Sequence, residues 1–197
     1  QLSLERPDHP NAVTSFQSDP RNPMQIPGTA FPGAADARGF ENQPEVRTFT
    51  TEALEQPIEW TGRIRANLFL SSTARDADIL VRVSDVYPDG RSILIVDYPL
   101  RLRYREGFDH EVLMQPGEVV QAAFDVGWIS QIFNRGHRIR ITVSGPGAPL
   151  YEPNPQTGGP QTNDLPPDAV AATHTLQHNR VWASAILAPI VPEQPEP

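Results

Sequence analysis

The chain has 197 residues, enough for one domain with a sizeable hydrophobic core and too few for two large ones. Its formal net charge is −8, from 16 basic and 24 acidic side chains, which argues against binding to nucleic acid or to an anionic membrane surface. The basic side chains are all arginine, and the sequence has no lysine and no cysteine, which excludes lysine Schiff bases, thiolate nucleophiles and disulfide bonds.

Prolines divide the chain into three stretches. Eight lie in residues 1–57, only three in 58–145, and eleven in 146–197. Because proline removes a donor from a β-ladder, the middle stretch is expected to hold the sheet structure. This division predicts three parts, namely a proline-rich irregular lead (1–48), a β domain (49–191) and a tail (192–197).

The lead carries spaced hydrophobic residues, at Phe16, Met24, Ile26 and Phe31. Their spacing predicts a segment draped over the surface of the domain rather than a free tail. The opening residues, 1–10, are polar and charged, and no apolar run reaches the roughly 18 residues of a membrane helix. We therefore expect no membrane span and no signal peptide in this chain, and the sequence leaves the localisation open.

The middle stretch alternates apolar and polar residues with a period of two, which is typical of strands with one buried face. The alternating apolar sets are Ile64, Ala66, Leu68 and Leu70; Ile79, Val81 and Val83; Val120, Ala122, Phe124 and Val126; and Ile139, Ile141 and Val143. Tyr87 to Gly90 is a strong turn signal and predicts a hairpin between the second set and a strand from Arg91 to Arg105. A last β segment is expected over residues 172–190.

Polar residues interleave with these sets, Arg82 and Ser84 among them, and are expected to face solvent. Six or more strands at hairpin spacing favour an all-β, antiparallel sandwich over a βαβ fold. A jelly roll fits this pattern best.

The predicted strand from Arg91 to Arg105 carries an arginine at every second position, Arg101, Arg103 and Arg105, which predicts a cationic face. Asp76 and Asp78 share one face of the neighbouring strand, so ion pairs with this row are the favoured interpretation. A calcium site is the less favoured use of the acidic cluster Asp76, Asp78, Asp85 and Asp89. The row is also suited to an acidic surface on another domain.

The sequence contains no Gly-x-Ser-x-Gly elbow for a nucleophilic serine. The nearest string surrounds Ser144, which we interpret as a serine at a strand end. His174 and His178 stand four apart and suit a metal pair, but no carboxylate accompanies them, so ordinary strand histidines are favoured. His137 is expected to hydrogen-bond locally. We predict no catalytic residue, no metal and no cofactor.

Aromatic residues offer an alternative function. Stacking on a sugar ring requires an exposed aromatic face, and core packing is the more common role of such residues. The candidates are Trp60, Trp128 and Trp182 with Tyr87, Tyr98, Tyr104 and Tyr151. A carbohydrate-binding module therefore stays open as the alternative.

Several short strings, in order, resemble the C-terminal domain of the family of X-prolyl dipeptidyl peptidases, bacterial cocaine esterase and α-amino acid ester hydrolases. They are Phe-Thr-Thr-Glu-Ala-Leu (49–54), Asp-Ala-Asp-Ile (76–79), Asp-Val-Tyr-Pro-Asp-Gly-Arg (85–91), Leu-Arg-Tyr-Arg-Glu (102–106), Pro-Gly-Glu (116–118) and Gly-His-Arg-Ile (136–139). Together with Asn154 and residues 157–159, they cover roughly residues 45 to 190.

The resemblance implies a galactose-binding-domain-like jelly roll that packs on an upstream α/β-hydrolase domain and helps shape its active-site cleft. The Ser-Asp-His triad of that family would lie in the upstream domain, so no catalytic residue is carried over to this chain. We expect Arg101, Arg103, Arg105 and Tyr104 at the interdomain interface. A homo-oligomer is also possible, and the substrate of the parent protein stays undetermined.

Overall fold

The computed structural model describes residues 2–26, 36–160 and 164–192; Phe31 of the lead and residues 193–197 of the tail lie outside the described residues. Strands make up almost all of the regular structure in these ranges. They are β1 (Val13–Ser18), β2 (Arg47–Thr50), β3 (Ile58–Ser72), β4 (Asp78–Val86), β5 (Ser92–Arg101), β6 (Val120–Phe133), β7 (Arg138–Ser144), β8 (Ala172–Gln177), β9 (Ala185–Leu187) and β10 (Ile190–Val191). The helical segments there are α1 (Arg38–Glu41) and a 3-10 helix (Leu102–Tyr104).

The strands form two antiparallel sheets. In the large sheet, β6 pairs with one edge of β3 along its length, while β10, β9 and β8 pair in succession with the other edge. β1 extends this sheet beyond β8. The small sheet has the order β2-β7-β4-β5. Among the described residues, no helix has the length and apolar character that a membrane span requires.

The hydrophobic core lies between the sheets and contains every member of the four alternating sets. Ile64 of β3 and Val81 of β4, for example, are completely buried. Each such side chain contributes about 1.5–3 kcal/mol when it leaves water. The predicted all-β antiparallel sandwich is therefore confirmed, whereas its closer likeness to galactose-binding domains stays a prediction.

The predicted hairpin is formed by β4 and β5. Its turn is closed by the backbone N–H of Tyr87, which donates to the carbonyl of Arg91 at 2.8 Å. Gly90 has a φ of 89°, a conformation that glycine adopts without steric cost. The hairpin places Asp85 and Asp78 at opposite ends of β4.

The lead packs on the sandwich as its hydrophobic spacing predicted. Phe16, on β1, belongs to the main core, and Met24 belongs to a second cluster with Phe40, Val46 and Leu80. This second cluster lies on the face of the small sheet that points away from the main core. Regular structure therefore begins within the predicted lead.

The expected exposure of Arg82 and Ser84 was wrong, because all nine residues of β4 are buried. The segment that contains α1 covers the outer face of the small sheet. The guanidinium carbon of Arg82 lies 4.0 Å from the ring centroid of Phe40, and its Nη2 lies 3.1 Å from a carboxylate oxygen of Asp97. A polar residue in an alternating strand is thus buried here by a segment distant in sequence.

The predicted strand from Arg91 to Arg105 was wrong at its end, since β5 stops at Arg101 and a 3-10 helix follows. The backbone N–H of Leu102 donates to the carbonyl of Ala77, and that of Arg103 donates to the Asp76 carboxylate. These bonds turn the chain inward, so the three arginines do not form one exposed row. The segment 172–190 is likewise divided among β8, β9 and β10.

Candidate interdomain surface

A buried cluster of opposite charges lies at the junction of β4 and β5. Arg103 Nε donates to Asp76 Oδ2 at 2.7 Å, and the side chains are 1% and 0% exposed. Arg101 forms two hydrogen bonds of 2.8 Å with the Asp78 carboxylate. The amide of Asn154 donates to Asp76 at 3.0 Å and to Asp78 at 2.6 Å. The predicted pairing of the acidic residues with the arginine row is therefore confirmed for Arg101 and Arg103. We call these five residues the Asp–Arg cluster.

Burial and ion pairing act in opposite directions on this cluster. Burial raises the pKa of the Asp78 carboxyl, and the Arg101 guanidinium opposes that rise. Such pairs persist in a low-dielectric interior only when further hydrogen bonds satisfy the remaining lone pairs. Asn154 supplies those bonds to both carboxylates. The cluster thus gives its residues one well-defined arrangement.

The Asp–Arg cluster anchors the long connection between β5 and β6, residues 102–119. Arg103 Nη1 lies 3.3 Å from Glu111 Oε2, and the Arg103 carbonyl accepts the N–H of Val112 at 2.8 Å. Met114 is completely buried, and its N–H donates to the carbonyl of Arg75 at 2.9 Å. Apart from the 3-10 helix at its start, the connection has no regular structure, and connections of this kind are uncommon in compact domains and are often functional.

This anchored connection presents two aromatic side chains at the surface. Phe108 is 75% exposed, and its ring centroid lies 5.9 Å from that of Tyr104. The Tyr104 hydroxyl donates to Glu111 at 2.8 Å, which lowers the pKa of Glu111 and raises that of Tyr104. We call Tyr104 and Phe108 the aromatic loop surface. An exposed Phe108 beside a half-buried Tyr104 suits contact with another protein surface.

The predicted interface residues thus occupy different environments. Tyr104 belongs to the aromatic loop surface, whereas Arg103 is buried beneath it. Arg105 is mostly buried and donates to the carbonyls of Leu102 and Val112. The presence of these residues at an interface stays a prediction. Arg103 and Arg105 contribute to the aromatic loop surface indirectly, because their hydrogen bonds hold the connection between β5 and β6 in place.

Sequence reasoning did not identify Phe108 as a surface residue. It is a large apolar residue within the polar string Glu106 to Glu111, and that contrast is the signal that would have found it. The bridging role of Asn154 had no such signal, because it lies more than seventy residues from both carboxylates.

A second polar contact joins two of the strings that carry the family resemblance. His137 Nδ1 lies 2.8 Å from Asp85 Oδ1, and the ring of His137 packs 4.4 Å from that of Tyr87. The guanidinium carbon of Arg91 also lies over the ring of Tyr87, 4.7 Å from its centroid. His137 therefore bonds to the neighbouring strand β4 of the same sheet. Its backbone N–H also donates to the carbonyl of Asn134 at the entrance to β7, so the expected local hydrogen bond is present beside this contact distant in sequence.

The remaining candidate residues are held in structural contacts. Ser144 ends β7, is completely buried and donates to the carbonyl of Gly145 at 2.8 Å. His174 is buried against Phe16, and His178 hydrogen-bonds to Thr14 at 2.8 Å. Within the described ranges, no three His, Asp or Glu side chains are grouped as a metal site requires.

The aromatic residues are dispersed. Trp60 is buried, while Trp128 is 72% exposed on the outer face of the large sheet with the guanidinium of Arg63 5.3 Å from its ring centroid. Tyr151 packs against the second cluster beside the small sheet. Trp128 and Tyr151 therefore do not form one stacking platform.

The two sheets and the core between them define an all-β antiparallel sandwich domain. The sequence matches the family described as the X-Pro dipeptidyl-peptidase C-terminal non-catalytic domain over residues 5–183, and the chain belongs to that family. The resemblance inferred from the short strings is thereby confirmed.

Relatives of known structure and sequence agree with this assignment. The cocaine esterase of Rhodococcus sp. (strain MB1 Bresler) is 35% identical over 186 residues, which cover 91% of this chain and 32% of that protein. An aminopeptidase from a marine sediment Thaumarchaeota archaeon superposes with a TM-score of 0.90 at 29% identity, over 98% of this chain and 35% of that one. An α-amino acid ester hydrolase gives a TM-score of 0.86 at 26% identity, over 91% and 32%. The chain thus spans about a third of the length of these relatives.

Proposed function

We propose that this chain is the non-catalytic C-terminal part of a serine hydrolase, and that it packs on an upstream α/β-hydrolase domain and helps shape the active-site cleft. The family description and the share of the relatives that the chain spans support this proposal. The relatives are named an esterase, an ester hydrolase and an aminopeptidase. We accordingly propose an ester or a peptide as the substrate of the parent protein.

The observation that carries the packing role is the aromatic loop surface. Phe108 stands 75% exposed on a connection that the buried Asp–Arg cluster holds in place. Exposing a large aromatic side chain to water is unfavourable, and fixing it there suits a partner surface that buries it. A rigid domain beside a cleft acts on catalysis by ordering loops and excluding water.

The test uses the full-length parent protein carrying Phe108→Ser. We expect kcat/KM for an activated ester or an X-Pro anilide to fall about tenfold, because loss of the contact displaces the cleft wall. The matched control is Leu187→Ser, which removes a 54% exposed apolar side chain from the outer face of the large sheet. It is expected to leave kcat/KM unchanged.

Two results would contradict the proposal. One is a parent reading frame with no Gly-x-Ser-x-Gly elbow upstream of this domain, which would remove the hydrolase. The other is equal kcat/KM in the wild type and both variants, which would remove the packing role of this surface. Thermal unfolding of each variant establishes that a lowered kcat/KM does not come from a misfolded domain.

A carbohydrate-binding module is the second candidate, and the exposed indole of Trp128 favours it. Saturable sugar binding on a glycan array that disappears in Trp128→Ser is its expected signature. Sugar binding that survives this substitution would argue against the indole as the platform.

A further inference from the structure

A cavity of about 360 Å³ opens between the two sheets. Leu68 of the large sheet lines it on one side, and Ile141 and Val143 of the small sheet line it on the other. These three residues belong to the main hydrophobic core, so the cavity reaches into the sandwich. An enclosed apolar cavity of about 150 Å³ is large enough for benzene, so this open cavity has the volume for a larger group. We call it the intersheet cavity.

Residues 2–8 of the lead form the outer wall of the intersheet cavity. The N–H of Leu2 donates to the carbonyl of Thr50 at 3.0 Å, which ties this segment to the end of β2. The side chain of Leu4 is 90% exposed. The segment therefore crosses the mouth of the cavity, but the side chain of Leu4 points to solvent and does not occupy the cavity.

The chemistry of the lining is apolar inside and charged at the mouth. The charged lining residues, Glu5, Arg6 and Asp8, all belong to the crossing segment and carry a net charge of −1. Deeper in the wall, the ring of His178 meets that of Phe49 edge-on, with the centroids 5.7 Å apart. Burial lowers the pKa of His178, which keeps its ring uncharged at neutral pH.

We propose that the intersheet cavity is a binding site for a small neutral ligand, which enters through an aromatic or aliphatic group. The apolar walls favour such a group, and its ring would pack against Phe49. An ionised group would lose its hydration against these walls, which disfavours anions. This site is separate from the aromatic loop surface, since none of its lining residues belongs to the connection between β5 and β6.

Two fluorescent probes that share one ring system test the selectivity. N-phenyl-1-naphthylamine is neutral, whereas 1-anilinonaphthalene-8-sulfonate adds a sulfonate. With the chain at neutral pH, we expect saturable binding of the neutral probe at one site, with a Kd at least about tenfold below that of the sulfonate.

Two neighbouring residues of β9 provide a matched pair of variants. Ile186 lies opposite the buried Ala66 and lines the cavity, while Leu187 lies opposite Arg65 and is 54% exposed on the outer face. Ile186→Trp fills the cavity and is expected to weaken neutral-probe binding at least about tenfold. Leu187→Trp adds the same indole outside and is expected to leave binding unchanged.

A third variant, Phe49→Leu, removes the aromatic wall at little change in volume and is expected to weaken binding several-fold. Thermal unfolding shows whether each variant folds. If Ile186→Trp does not fold, the affinity of Phe49→Leu for the neutral probe tests the proposal. The proposal is overturned if the wild-type chain shows no saturable site for the neutral probe. Equal affinity for the two probes, or unchanged binding in the folded cavity variants, would overturn it as well.

Discussion

Arg103 is a fully buried arginine of the Asp–Arg cluster, and its environment explains why it was difficult to place from sequence. Its alternation with Leu102 and Tyr104 predicted a strand residue facing outward. That pattern is local, whereas the position of Arg103 is set by Asp76, 27 residues earlier, which binds both its backbone N–H and its guanidinium. The charge pairing was predictable because opposite charges on adjacent strands attract. The inward turn was not, because it depends on the backbone hydrogen bond.

Replacing Arg103 by Met is expected to lower the free energy of unfolding by about 3–5 kcal/mol, because it leaves the Asp76 carboxylate buried without its partner. The double variant Arg103→Met with Asp76→Leu is expected to recover part of that loss. Urea unfolding at neutral pH measures both. Arg91→Met, which removes an exposed arginine paired with Asp89, is the control and should change little. Equal small effects at the two arginines would contradict the assigned role of the cluster.

His174 gives the sandwich a predictable response to acid. Burial lowers the pKa of His174 from 6.5 to about 4, and its Nδ1 lies 3.0 Å from the hydroxyl of Ser72. The folded state therefore holds the ring neutral while the unfolded chain takes up a proton below pH 6.5. The free energy of unfolding should fall as pH decreases from about 6.5 to about 4, by up to about 3 kcal/mol from this residue.

The contribution of His174 is isolated by difference, since other groups of the chain also take up protons as the pH falls. Urea unfolding of the wild type and of His174→Gln is compared from pH 7 to pH 4.5. The variant should lose less stability than the wild type across this window. Parallel pH profiles for the two proteins would show that His174 does not carry the effect.

At the level of elements, period-two alternation predicted the strands that face the core, because one face of each is buried by the opposite sheet. The alternation did not predict the burial of the outer face of β4, because the lead covers that face. It also did not predict the end of β5, where the Asp76 carboxylate accepts a hydrogen bond from the backbone N–H of Arg103. The candidate surface was predicted in part, since Tyr104 was named from its string. Phe108 was missed because the part of the connection that follows the 3-10 helix has no regular structure and therefore no periodicity.

Gly127 on β6 shows how closely the sheets approach one another. It has a φ of 145°, and a Cβ added there would lie 2.6 Å from Cγ2 of Val96 on β5. Gly127→Ala is therefore expected to cost at least about 2 kcal/mol through backbone strain and overpacking. Thermal and urea unfolding measure this loss.

Two companion variants separate the causes at Gly127. Adding Val96→Ala to Gly127→Ala removes the clashing methyl group and should restore the steric part of the loss, leaving the backbone part. Ser130→Ala, at an exposed position of the same strand, should change stability by no more than about 0.5 kcal/mol. A loss at Gly127 no larger than that at Ser130 would contradict the close approach.

Across the whole molecule, the lead completes the sandwich. β1 extends the large sheet, and the segment around Phe40 covers the outer face of the small sheet. Glu41 accepts hydrogen bonds from Ser92 and Arg140, so the lead supplies partners to a polar layer on that face. Proline content predicted a lead separate from the domain, because proline affects only the local backbone. The burial of the lead depends instead on contacts distant in sequence, which proline content does not reveal.

The boundary between residues 48 and 49 stays a prediction, and truncation tests it. A chain of residues 49–197 lacks β1 and α1, exposes Leu80 and leaves Arg140 without Glu41. We expect it to lose the cooperative thermal transition of the full chain and to bind 1-anilinonaphthalene-8-sulfonate strongly, since apolar surface is uncovered. A chain starting at His9 keeps both elements and should melt within a few degrees of the full chain. If the shorter chain instead melts cooperatively at the temperature of the full one, the lead is dispensable and residue 49 begins an autonomous domain.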